Sequence, residues 1–293
     1  MVKVQPLTLA ASPYIDGDYL MSPYVWVQDG VHWMALRVVR VGSNGLAGTS
    51  SICFAKGDGV DFQLEDMPAL EPGPSAEDLG GCEDPTLFFH EGKCKVYYTG
   101  WNASIRQSKL LYATGPDIAS LHKRGDVLHG IRHWNIKEAS ILQTPAGWTL
   151  FYEYSERVHS LIGKAHSDNP DGGWLEQADP FGLREDRWDS WHLSTGPISF
   201  QDTDHPVMFY NGADKDAHWR IGWVEFDRTC SHVTARCDDA LVRPEHLPDG
   251  FPDIAFSASS LDLDEHTVEL YFSIGDRSLC KAIIEVSETP SSA

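Results

Sequence analysis

Basic residues are scarce in this chain: 23 Lys and Arg stand against 43 Asp and Glu over 293 residues, a formal charge of −20. A molecule that negative repels phosphate backbones and anionic lipid at long range, so neither nucleic acid nor a membrane surface is an expected partner. Long apolar runs are missing as well. No uncharged stretch approaches the ~18–20 residues that a membrane helix needs, and the opening MVKVQPLTLAASP lacks a signal-peptide apolar region; the expected location is cytoplasmic. Cysteine is sparse, and Cys53, Cys82, Cys94, Cys230, Cys237 and Cys280 show no CxxC spacing. That pattern predicts reduced, buried thiols and no structural metal. The 13 histidines form no HExxH, and there is no glycine-rich phosphate loop and no GxSxG elbow, which excludes the zincin, P-loop and α/β-hydrolase readings. Helical periodicity is almost absent.

What the chain does have is repetition. An apolar stretch, a short turn and a second apolar stretch recur from Ser22, Glu83, Glu138, Thr195 and Asp253, at spacings of 61, 55, 57 and 58 residues. A third apolar segment follows each pair. The segments are four to eight residues long, rich in Val, Ile, Tyr, Phe and Trp, and separated by Asp-Gly, Glu-Gly or Ala-Gly, which is hairpin chemistry. Five antiparallel units that cannot bury both faces alone predict an all-β, five-bladed β-propeller. We expect one domain over 1–293, with blades near 11–75, 76–132, 133–190, 191–246 and 247–293. The last blade has only three clear strands, so VKVQPLTL at the N-terminus is expected to supply its outer strand and close the ring.

In such a ring the first strand of each blade faces the central channel, so the residues opening the repeats converge. Ser22, Asp84, Lys137, Thr195 and Asp253 hold matching places, and Arg37, Gly100, Glu153, Asp214 and Asp276 end the second strands. Carboxylates dominate both sets. Asp84 precedes Pro85 and reads either as a turn initiator or as a channel acid. Because neighbouring strand residues face opposite ways, only one of Glu83 and Asp84 is expected to enter the channel. Glu153 interrupts the apolar run WTLFYEYS and is either solvent-facing or functional. Asp214 and Asp276 follow glycine-containing turns and fit Asx turns as well as a site. Arg37 fits a surface ion pair, or a fork holding a carboxylate or a sugar hydroxyl. Trp134, Trp188 and Trp191 lie between blades, as packing or as a sugar platform; His133 and His192 are possible site-lining donors.

Together Ser22-Pro23 through Arg37, Glu83-Asp84-Pro85, Lys137-Glu138-Ala139, Thr195-Gly196-Pro197, Tyr210-Asn211-Gly212-Ala213-Asp214 and Phe272-Ser273-Ile274-Gly275-Asp276 resemble glycoside hydrolase family 130. These are the β-mannoside phosphorylases and related mannosidases, five-bladed propellers, and the likeness runs over most of the chain. It implies an inverting cleavage of a β-glycosidic bond in a small oligosaccharide, with Asp84 as general acid. Substrate-binding roles are expected for Ser22, Arg37, Lys137, Glu138, His192, Asp214 and Asp276. No cofactor is implied, only inorganic phosphate as co-substrate if the chain is a phosphorylase; a homo-oligomer is possible.

The chain departs from the family where phosphate binds. Glu153 stands where an arginine is usual, Thr86 replaces the usual arginine after Glu-Asp-Pro, and Ser194 or Thr195 falls at a lysine position. Loss of cations and gain of a carboxylate disfavour a phosphate dianion. Inverting hydrolysis needs a base for water across the ring from the acid, and Glu153 is the expected base, with Glu138 in reserve. The competing readings are a phosphorylase using Lys137 and channel histidines, a non-catalytic carbohydrate-binding propeller, and a furanosidase with a trio of carboxylates.

Overall fold

The structure, a computed structural model, describes residues 2–10, 19–41, 48–244, 247 and 249–286; the starting stretch 11–18 of the expected first blade and the end of the last, 287–293, lie outside them. Among the described residues the one helical piece is the single turn Ala76–Asp78, and no helix is long and apolar enough to cross a membrane. The rest is built from antiparallel meanders.

Unit one runs Tyr19–Gln28, Val31–Val39, Ser50–Gly57 and Asp61–Leu64. Unit two runs Gly81–His90, Lys93–Asn102, Gln107–Gly115 and His122–Asp126, and unit three Trp134–Thr144, Gly147–Glu156, His159–Ser167 and Leu175–Gln177. Unit four is broken into short pieces, from His192–Ser194 to Val233–Arg236. One cause is Gly196, where a Cβ would stand 1.9 Å from the Phe209 carbonyl oxygen, so the strands meet there at a distance only glycine permits. Unit five has Ala255–Asp262, Thr267–Ile274 and Ser278–Glu285. Its fourth strand is Val4–Pro6, antiparallel to Ser278–Glu285 with Val4 opposite Ala282. The hairpin turns have the chemistry their sequences announce: Asp29-Gly30 and Glu91-Gly92 take φ of 53° and 75°, and 49° and 70°, as tight turns with two left-handed residues require.

The five first strands touch in cyclic order, each on the next and the fifth on the first. A hydrogen bond crosses every junction. Ser22 Oγ donates to Asp84 (2.8 Å), Thr86 Oγ1 to the Ala139 carbonyl (2.6 Å), and Ser140 Oγ to the Gly196 carbonyl (2.5 Å). Ser199 Oγ donates to Ser260 Oγ (2.8 Å), and Ser259 Oγ to the Pro23 carbonyl (2.8 Å). Thr86 therefore has a structural post, which accounts for a short hydroxyl residue at that place.

The core is divided in the same way. One cluster, with Trp26, Phe54, Leu87 and Tyr98, lies between units one and two; another, with Tyr97, Leu110, Trp148 and Leu150, between two and three. Leu142, Phe151, Met208 and Phe226 seal units three and four, and Phe209, Ile221, Leu270 and Phe272 units four and five. Met34, Leu36, Tyr271 and Leu279 join the last to the first. Each such side chain contributes about 1.5–3 kcal/mol on burial, and since it does so only against the neighbouring unit, no unit is stable alone. All six cysteines are buried and none is in a disulfide.

Candidate active site

The ring has a cavity of about 300 Å³ at one end, lined by Met21, Ser22, Arg37, Glu83, Asp84, Lys137, Glu138, Glu153, Trp219, Ile254, Phe256, Ser273 and Asp276. Five carboxyl groups thus face two cations.

Local backbone irregularity puts the acids there. In each of the first three units the ladder between the first two strands slips, between Met21 and Tyr24, Glu83 and Thr86, and Lys137 and Ser140. At these bulges Ser22, Asp84 and Glu138 adopt φ of 52°, 48° and 49°. A left-handed conformation costs a non-glycine residue about 1–3 kcal/mol, and a bulge re-aims the side chain it carries. The expectation that only one of Glu83 and Asp84 enters the cavity is overturned for this reason: strict alternation fails at a bulge, and both line it. The bulges also shift the correspondence between repeats, so that Glu138, not Lys137, is the unit-three counterpart of Asp84. Asp276 arrives by another route. With Gly275 it forms a tight turn between the last two strands of unit five, φ 61° and 54°, so the turn reading holds and the same turn carries the carboxyl group into the cavity lining.

Arg37 organises the first acids. Its Nη2 lies 2.7 Å from Glu83 Oε1, and its Nη1 lies 3.2 Å from Asp84 Oδ1. Ser22 Oγ supplies a further bond to Asp84, and Ser50 Oγ one to Glu83 at 3.2 Å. Burial works against the guanidinium charge, but Asp84 and Glu83 outweigh it and hold the Arg37 pKa up. Arg37 Nε is buried without a partner. Across the cavity Lys137 Nζ lies 3.2 Å from Glu153 Oε1, which raises the lysine pKa. Glu153 is 4% exposed, and the solvent-facing reading of it fails because this strand is covered on both faces.

Burial pushes up the carboxyls of Glu83 and Asp276. Glu138 is raised most clearly, first by burial, then by the negative charges of Asp84 and Glu153. Carboxyls driven toward the neutral form beside others held by cations are the arrangement from which acid and base roles separate.

The apolar wall was not legible in the sequence. Trp219 stacks on His192 at 5.6 Å and 10°, and meets Phe256 at 5.4 Å and 55°; Trp219 and Phe256 line the cavity, whereas His192 does not. The backbone N–H of Ser160 donates to His192 Nδ1 (3.0 Å), placing the proton of the neutral ring on Nε2, and burial lowers the ring's pKa. A better signal would have been the aromatic that opens a third strand, as Trp219 does in HWRIGW.

Other expected residues lie elsewhere. Asp214 does not line the cavity; its carboxylate accepts the Asp216 and His218 N–H groups and pairs with the His218 ring at 3.0 Å, the Asx-turn alternative. Trp134 is 52% exposed, Trp188 packs on Tyr210, and Trp191 meets His159 edge-on. His133 stacks on Tyr154. Thr195 bonds Ser140 within the ring of cross-links.

The chain matches no protein-family model, and no curated protein matches it in sequence. Solved structures do match in shape. The β-1,2-mannobiose phosphorylase of Listeria innocua, in complex with β-1,2-mannobiose, superposes with a TM-score of 0.78 at 16% identity, over 97% of this chain and 91% of that one. A structure described under GH130 glycoside hydrolases that target β-1,2-mannosidic linkages in Candida mannan gives 0.77 at 20% identity, over 94% and 86%. A mannose phosphorylase of Leishmania mexicana, in complex with phosphate, gives 0.71 at 13% identity, over 97% and 89%. The chain shares the fold of the family 130 mannoside phosphorylases and glycoside hydrolases.

Proposed function

We propose that the five units are the blades of a five-bladed propeller and that the chain is an inverting glycoside hydrolase acting on a β-mannosidic bond in a small oligosaccharide. The observation that carries this reading is the charge inventory of the cavity. Both of its described cations are already matched by carboxylates, Arg37 by Glu83 and Asp84 and Lys137 by Glu153, and a phosphate dianion would compete with those partners in a field of surplus negative charge. A neutral sugar and a water molecule meet no such opposition. The cavity volume suits a few sugar-sized groups, and Trp219 and Phe256 offer an apolar face to a pyranose ring.

In this reading Asp84 gives its proton to the glycosidic oxygen as the bond to the anomeric carbon breaks. Glu153 takes a proton from the water that attacks the opposite face, which inverts the configuration. Lys137, 3.2 Å from Glu153, and Arg37, 3.2 Å from Asp84, offset the negative charge of these two carboxyl groups. No metal or other cofactor is required.

The phosphorylase reading is favoured by one observation: a lysine and an arginine do line the cavity. A panel of aryl β-glycosides and β-linked manno-oligosaccharides, assayed with and without inorganic phosphate, separates the two. Release of free mannose without phosphate is expected. Sugar phosphate formed only when phosphate is present would replace the hydrolase by a phosphorylase, and sugar binding without turnover would leave a binding protein.

A further inference from the structure

Asp84 and Glu138 occupy equivalent left-handed bulges on adjacent first strands, with φ of 48° and 49°. The strands are locked in register beside them by the bond from Thr86 to the Ala139 carbonyl at 2.6 Å, and the Glu138 N–H is held by Thr99 Oγ1 at 3.1 Å. Two strained backbones thus present two carboxyl groups to the same cavity. Asp84 Oδ1 already accepts from Ser22 and Arg37, whereas no cation donates to Glu138 among the described contacts. Both line the same cavity, and two carboxyls brought together there cannot both be ionised cheaply, so they share a proton.

We propose that Asp84 and Glu138 form a carboxylate–carboxylic acid dyad holding one proton, and that Glu138 stores this proton and passes it through Asp84 to the leaving group. The inference rests on the glycosidase reading above and extends it by one positioning residue. The balance is simple. As the glycosidic bond breaks, the single proton of the dyad moves from Glu138 to Asp84 and on to the glycosidic oxygen, which leaves both carboxyls ionised. Water adds to the anomeric carbon and gives its proton to Glu153, so the products are a free sugar and an alcohol, and the proton returns from Glu153 to the dyad through solvent. The charges around Glu138 agree with a stored proton. Asp84 on unit two and Glu153 on the neighbouring strand raise its pKa, burial raises it most, and Lys137 on its own strand opposes them without prevailing; Arg37 on unit one attends Asp84.

The test is the Glu138→Gln variant, assayed on a manno-oligosaccharide and on a dinitrophenyl β-mannoside whose leaving group needs no proton. Turnover of the oligosaccharide should fall by about 10² or more, while the activated glycoside loses less than about tenfold. The alkaline limb of the kcat/KM profile should move to lower pH, since the pair no longer has a second acid with which to share its proton. Equal losses on both substrates with an unmoved alkaline limb would reduce Glu138 to a structural part and overturn the dyad. Infrared spectroscopy supplies a reading that does not depend on turnover: the wild-type protein at neutral pH should show a protonated-carboxyl band that Glu138→Gln removes. Absence of that band in an active wild-type enzyme sinks the dyad and spares the hydrolase; its presence in a protein that cleaves no glycoside does the reverse.

Discussion

Lys137 and Glu153 stand opposite each other across the first two strands of unit three, and their side chains close the gap to 3.2 Å. A cation and an acid that a phosphorylase and a hydrolase would use in different ways are here spent on one another. Glu153→Gln frees the lysine and removes the base. The expected result is a loss of about 10² to 10⁴ in turnover that added phosphate does not repair. Phosphate-dependent recovery of activity would transfer the chain to the phosphorylases.

Asp84→Asn keeps the hydrogen bond from Ser22 but removes the proton donor. Turnover on unactivated substrates should fall by a similar ~10² to 10⁴, with the urea midpoint little changed. In a substrate-analogue complex the carboxyls of Asp84 and Glu153 should lie roughly 6.5–9.5 Å apart, leaving room for water; a separation near 5 Å would indicate retention instead.

Removing the indole of Trp219 should weaken ground-state binding more than chemistry. An aromatic contact of this kind contributes about 0.5–1.5 kcal/mol beyond area burial, so Trp219→Ala should raise KM by roughly three- to tenfold with kcat nearly unchanged. Asp214→Asn, outside the cavity, should leave KM as it is. A rise in KM in the second variant would restore Asp214 to the site.

The pH dependence of stability follows from Glu138. Its folded pKa lies above the unfolded value, so the folded state binds the extra proton, and the contribution is present in full below the ordinary carboxylate range and lost as pH rises through the folded value. Glu138→Gln should therefore be stabilised relative to wild type near pH 8, and this gain should fade on acidification toward pH ~4. Chemical denaturation at several pH values measures it; a gain that grows on acidification would contradict the raised pKa.

Asp189 is fully buried and accepts from Arg184 (2.8 Å), Arg236 (2.5 Å) and Tyr210 (2.7 Å). It joins the loop before unit four to Tyr210, between two of that unit's short strands, and to Arg236 on its last strand. Asp189→Asn leaves two arginines with reduced compensation and should cost about 3–5 kcal/mol, seen as a lower urea midpoint. A loss under about 1 kcal/mol would mean that water or a shifted side chain replaces the carboxylate.

The repeats were legible because period-2 apolar segments and Asp-Gly or Glu-Gly turns act over a few residues, and these local terms determined the strands and the hairpins. The same terms put Asp84, Arg37, Lys137, Glu153 and Asp276 at repeat ends, and all five line one cavity. The sequence could not disclose the bulges. A one-residue slip in a ladder leaves the apolar pattern intact while it reverses the direction of a side chain, and so Glu83 was turned away from a cavity it lines and Glu138 was matched to the wrong neighbour. Trp219 and Phe256 were hidden for a related reason: an aromatic residue has the same pattern whether it packs in a core or faces a cavity. Asp214 resembles Asp276 in sequence, each following a glycine turn, yet His218 and two backbone N–H groups hold one at the surface while Gly275 turns the other inward. Strand identity is set by neighbours in the chain. Which carboxyls share a proton is set by contacts between units some 55 residues apart, and those exist only when the ring closes.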